Sequence, residues 1–191
     1  QLKRHRGLQR CFRAACQHGV RSAKKDLFRY AEYADTMMRA SDEPFFLMVN
    51  FPDAHYPFQD TVEGRPANPV SPEEVVTFPY IGVDNERIRS ITTNYYNCIL
   101  RLDECVGELM EKLKDSGKKE NTLVIYLSDH GDEMARGKFD IYEAATKVPF
   151  IASWPGKVEK GITSEALISS TDIVPTFLEA AGLPVPEKIA G

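Results

Sequence analysis

Two short apolar runs in this chain each end in side chains able to hold a cation or to move a proton. Residues 45–51 lead to Asp53 and His55, and residues 123–127 lead to Asp129 and His130. In an open α/β sheet, ligands bind beyond the carboxyl ends of the strands. The chain leaves the pleat at such an end, so a neighbouring Asp and His can both turn towards one ion. A carboxylate with an imidazole suits a divalent cation, although two ligands alone do not complete a site. Taken by itself, Asp129-His130-Gly131 also reads as an ordinary turn, and His55 as a polar loop residue.

The elements that must position these groups follow from periodicity. Leu27, Tyr30, Ala31, Ala34 and Met38 recur at three- and four-residue steps, which predicts a helix over 22–40. Residues 45–51 and 123–127 read as buried strands, as does 148–154, which closes with Pro155-Gly156. Ile88, Ile91, Tyr95, Ile99, Leu102, Val106, Leu109 and Leu113 mark a long amphipathic helix, with Asp84 or Asn85 as its cap and Gly117 as its stop. A last helix over 173–181 has Ser170 or Thr171 as its cap and Gly182 at its end. Between the first strand and the long helix, residues 59–86 hold Pro66, Pro69, Pro72 and Pro79 with Gly64 and Gly82, a long irregular connection of the kind that serves as a lid or binding loop. This order predicts an α/β fold, with helices sandwiching a mainly parallel central sheet.

Read together, several pieces resemble the type I sulfatases of the alkaline phosphatase superfamily. They are Ser128-Asp129-His130-Gly131 after an apolar strand, Lys138 four residues before Tyr142-Glu143, Val148-Pro149-Phe150-Ile151 and Trp154-Pro155-Gly156. Pro44-Phe45-Phe46-Leu47 leading to His55-Tyr56-Pro57-Phe58, and Asp172-Ile173-Val174-Pro175-Thr176-Phe177-Leu178 followed by Ala181-Gly182, agree in order and spacing. The likeness covers residues 44–191, and the stretch from Val76 to Gly117 is similar to the heparan N-sulfatase branch. It implies a single catalytic domain, with residues 1–43 as a basic helical lead-in.

The resemblance also implies roles. Asp129 and His130 would bind the family's divalent cation, Ca2+ first, with Mn2+ and Zn2+ as alternatives because a histidine replaces the commoner asparagine. Lys138 would reach the sulfate oxygens, and His55 would protonate the leaving oxygen or nitrogen. The implied substrate is a sulfated small molecule or polysaccharide, and the implied setting periplasmic, extracellular or lysosomal. The family's formylglycine arises from a Cys/Ser-x-Pro-x-Arg motif, which these 191 residues do not contain. The chain is therefore expected to be an incomplete excerpt of the domain, inactive alone. Two rivals stand beside this reading: a phosphodiesterase or phosphonate monoester hydrolase of the same superfamily, and a non-catalytic binding module that keeps the fold.

Composition narrows the classes further. Apolar residues make up 42% and charged residues 27%, which argues against a disordered chain. The longest apolar runs have five residues, against about 20 for a membrane-spanning helix. The net charge of −4 hides a split: residues 1–25 carry eight basic groups and no acid. With Phe12 as the segment's one aromatic, base stacking has little support and no nucleic-acid partner is expected. Cys11, Cys16, Cys98 and Cys105 form no CxxC, so a cysteine zinc site is not expected; buried or free thiols are. Oligomeric state is not legible from these features.

Overall fold

The computed structural model describes Leu27 and residues 29–189. The basic 1–25 segment, with Cys11 and Cys16, lies outside the described residues. The chain forms two compact units. One takes the described residues up to Lys119 together with Leu127–Phe150; the other joins Glu120–Tyr126 to the residues from Ile151 onward.

In the first unit, α1 (Arg29–Arg39) packs against the 30-residue α2 (Glu86–Asp115). Ala31, Ala34 and Met38 are buried along one face of α1 at the steps seen in the sequence, and Leu27, just ahead of the helix, is buried as well. Asn85 caps α2, its side-chain oxygen accepting from the Ile88 amide at 3.0 Å, so the choice between Asp84 and Asn85 resolves to the latter. Asp84 instead makes a two-pronged pair with Arg89. Gly117, at φ +74°, follows the helix end, where a left-handed residue stops the helix without a Cβ penalty.

The buried face of α2 departs from the apolar stripe. Leu102 and Leu113 are buried as expected, but Ile99 is 36% exposed, and the most deeply buried positions are Thr92, Asn97, Cys98 and Arg101. What they face explains this. The long connection is irregular, as predicted, apart from one bridge between Val62 and Arg65 and a 3-10 turn at Pro79–Ile81. Its backbone groups need partners, which a polar helix face can provide.

Arg101 supplies three of them. Its guanidinium pairs with Asp53 through Nε–Oδ2 at 2.7 Å and Nη2–Oδ1 at 3.1 Å, both side chains being buried. Nη1 donates to the carbonyls of Gln59, Asp60 and Arg65 at 3.3–3.5 Å. One turn earlier, Asn97 donates to Asp60 and to the Val70 carbonyl and accepts from the Val70 amide. One turn later, Glu104 accepts from the Ala67 amide at 2.6 Å, and two turns later Glu108 takes the Arg65 guanidinium. Cys98 and Cys105 are free thiols on the same face, and burial pushes both thiols up and so towards inertness.

Two predicted strands differ from expectation. Residues 45–51 take no part in the described sheet. Their burial still alternates over the last five, with Leu47, Val49 and Phe51 half-buried and Met48 and Asn50 exposed, the two-residue period of extended chain. A strand also needs a ladder partner, and the described sheet pairs only β1 (Val124–Leu127) with β2 (Phe150–Ser153). All four residues of β2 are exposed, so burial on both faces does not hold within the described residues. The short α3 (Glu143–Thr146) precedes β2. Helix α4 (Ile173–Ala180) stops before Gly182 as predicted, but its entry is capped differently. A 3-10 turn at Ser170–Asp172 leads in, and Ser169 and Asp172 form a reciprocal capping box, in place of a cap by Ser170 or Thr171.

Removing one member of the buried Arg101–Asp53 pair strands the other charge in the core. Arg101→Met is expected to lower unfolding free energy by about 3–5 kcal/mol in urea melts. Asp53→Leu with Arg101→Met should lose clearly less than the two single changes added together. A single-variant loss below about 1 kcal/mol would show that the pair is not what anchors the loop.

Candidate active site

The turn following β1 carries most of the chemistry. Asp129 and His130 sit two and three residues past Leu127, and Gly131 comes next. A Cβ on Gly131 would lie 1.7 Å from the Ala144 carbonyl oxygen, so only glycine allows the turn to lie this close to α3. The Gly131 amide then donates to the Ala145 carbonyl at 2.9 Å, and Ala145 is buried.

Within this turn, Asp129 and His130 form a pair. His130 Nδ1 lies 2.7 Å from the Gly131 carbonyl, which can only accept, so the proton of the neutral ring is on Nδ1 and the lone pair on Nε2. Nε2 lies 3.5 Å from Asp129 Oδ2, and the Asp129 side chain is 85% exposed. Two ligands at about 2.3–2.6 Å from one cation and at right angles lie about 3.3–3.7 Å apart. The two lone-pair atoms thus have the spacing and donor chemistry of adjacent ligands to a divalent cation. Among the described residues no group of three or more His, Cys, Asp or Glu side chains gathers as a metal cluster, and these two residues are a partial set.

His55 and Lys138 meet at a third residue that sequence reasoning missed. Glu133, whose side chain is largely buried, accepts from Lys138 Nζ at 2.7 Å and from the Tyr56 amide at 2.5 Å; its Oε2 lies 3.6 Å from His55 Nδ1. Burial favours the neutral acid, but the Lys138 hydrogen bond, the Tyr56 amide and the neighbouring His55 and Lys138 charges outweigh it. They hold the Glu133 carboxyl below the usual range, ionised at neutral pH. His55 Nδ1 also lies 2.6 Å from the Tyr56 carbonyl, which again puts the neutral ring's proton on Nδ1. The chain enters this loop with the His55 amide donating to Pro52, next to the buried Asp53.

Asp132 ties the same turn to the long connection. It accepts from the Tyr80 hydroxyl at 2.6 Å and from the Met134 amide at 2.8 Å, while its carbonyl accepts from the Lys138 amide at 2.7 Å. Burial first, then the bond to Asp132, pushes the Tyr80 phenol well above its ordinary range, so it remains a donor. Tyr80 stacks on Phe78 at 5.2 Å, and Phe78 meets Tyr95 of α2 edge-on. The one sequence signal for these roles was the acidic pair Asp132-Glu133 directly after Asp-His-Gly and ahead of the lysine.

Comparisons with known proteins show the family to which the chain belongs. The family model described as Sulfatase matches residues 24–183. An ulvan-active sulfatase of Formosa agariphila is 29% identical over 175 residues, covering 86% of this chain and 34% of its own length. Human arylsulfatase A is 31% identical over 173 residues, covering 83% of this chain and 30% of its own. A solved Bacteroides thetaiotaomicron structure, described under the metabolism of multiple glycosaminoglycans, superposes with a TM-score of 0.65 at 26% identity, over 82% of this chain and 34% of its own. The chain spans about a third of the length of these relatives. With most of its length matched, and with an incomplete version of their α/β architecture, the chain belongs to the sulfatase family of the alkaline phosphatase superfamily.

Proposed function

We propose that the protein carrying this chain hydrolyses sulfuric esters or sulfamates on a sulfated carbohydrate. One observation carries this reading most directly. His55 and Lys138, from segments far apart in sequence, share the Glu133 carboxylate, five residues before Lys138 in the turn that also bears Asp129 and His130. A sulfate ester or sulfamate is anionic, and its S–O or S–N bond breaks towards an alkoxide oxygen or an amine nitrogen that needs a proton. A lysine against the sulfate oxygens and a histidine at the leaving atom are the charge complement for that step.

In this reading Lys138 binds and orients the sulfate through its ammonium group. His55, as the imidazolium with protons on both ring nitrogens, gives the Nε2 proton to the leaving oxygen or nitrogen and is left as the neutral Nδ1–H ring, and Glu133 is the counter-charge beside the cationic ring before that transfer. Asp129 and His130 would hold a divalent cation, Ca2+ first and Mn2+ or Zn2+ as the alternatives, which would supply further positive charge next to the sulfate. The nucleophile that attacks sulfur is not among these residues, since the Cys/Ser-x-Pro-x-Arg motif is absent from the sequence. Relatives named for activity on ulvan and on N-acetylglucosamine 6-sulfate favour a carbohydrate substrate.

Two measurements on the full-length protein test the assignment. Lys138→Ala is expected to lower kcat/KM for an aryl or sugar sulfate by about 10²–10³-fold, in the range seen when one charge-stabilising donor is lost. Parental kinetics in that variant would remove Lys138 from the mechanism, and turnover of a phosphodiester but no sulfate ester would overturn the sulfatase reading. Separately, Asp129→Ala should weaken cation binding by at least about tenfold in calorimetric titrations with Ca2+, Mn2+ and Zn2+. Equal affinities in the two forms would show that the cation is held elsewhere.

A further inference from the structure

We infer that Glu133 is a positioning residue that sets His55 and Lys138 relative to one another, and so sets where the leaving atom and the sulfate oxygens must lie. The inference rests on the functional reading above and adds a residue to it. Three facts carry it. Both oxygens of Glu133 are used, Oε1 by Lys138 Nζ and Oε2 by the Tyr56 amide, with His55 Nδ1 3.6 Å from the latter. The side chain is about nine-tenths buried, so its charge acts at short range in a poorly screened setting. Its carboxyl is held ionised by those same neighbours.

The geometry gives each oxygen a separate task. Oε1 directs the lysine ammonium, a flexible point charge that would otherwise sample many rotamers. Oε2 fixes the backbone of the His55-Tyr56 loop, and the Tyr56 carbonyl in turn orients the imidazole through Nδ1. The facing groups are the Lys138 ammonium, the His55 ring and the Tyr56 amide, while the neighbouring Asp132 is occupied by Tyr80 and the Met134 amide. One carboxylate thus ties a residue at position 55 to one at position 138, and both distances depend on it.

Glu133→Gln tests this, because an amide oxygen can still accept from the Tyr56 amide while the charge that directs Lys138 and faces His55 is gone. In the full-length protein the variant should lose about 10–100-fold in kcat/KM, with kcat falling and KM rising, as when the partner orienting a binding group is removed. Its Tm should stay within about 2 °C of the parent. The same change in a Lys138→Ala background should cost less than it does in the parent, since part of its effect is transmitted through that lysine. A second readout needs no turnover: Lys138 should acylate several-fold faster with an amine-reactive reagent in Glu133→Gln, followed by peptide mass spectrometry. Equal Lys138 labelling, or faster labelling with unchanged kcat/KM, overturns the inference. A parent with no sulfatase turnover overturns the functional reading instead, and the labelling rates then decide Glu133.

Discussion

The buried pair between Arg101 and Asp53 is the contact on which the candidate site depends. Burying a guanidinium and a carboxylate is costly unless nearly every donor and acceptor is used. Here the two are joined twice, and the remaining donors of Arg101 reach three loop carbonyls and the Cys98 sulfur. Asp53 lies two residues before His55. The helix therefore holds the histidine loop by a charge pair whose rupture would leave an uncompensated ion inside the first unit. That makes the position of the loop, and of His55 within it, a consequence of core formation.

The turn over 129–138 is joined to that scaffold by its own acids. Asp132 takes Tyr80 from the far part of the long connection, and Glu133 takes Tyr56 from the His55 loop that precedes it. Both partners belong to segments that α2 also grips, through Asn97, Arg101 and the aromatic contacts of Tyr95. The result is a closed set of constraints: helix to loop, loop to turn, and turn to α3 through Gly131. A shift of any one member would move His55 relative to Lys138.

Local patterns made much of this legible in the sequence. The Asn85 cap, the Gly117 stop, the end of the last helix before Gly182 and the buried stripe of α1 all follow from rules that operate within a few residues. The motif residues Asp129, His130, Lys138 and His55 were equally visible, as types at telling places. Three things were not. The buried polar face of α2 escaped a method that counts apolar residues, because Asn97 and Arg101 are buried to satisfy a loop backbone rather than to escape water. Glu133 escaped because its partner Tyr56 is 77 residues away in the chain, and nothing local distinguishes it from Asp132. The sheet differed because apolar runs such as 148–154 are written for cover on both faces, while β2 is exposed along its whole length among the described residues.

Those same constraints sort the three acids of the turn by burial. Asp132 and Glu133 are drawn inward, each committed to a donor from a distant segment, and neither is at hand for an ion from solvent. Asp129 is left 85% exposed, its Oδ2 3.5 Å from His130 Nε2. Had all three been exposed, mutual repulsion would have disfavoured their ionised forms. Dividing them puts two carboxylates to work as struts and leaves Asp129 exposed beside His130, on the open side of the same turn.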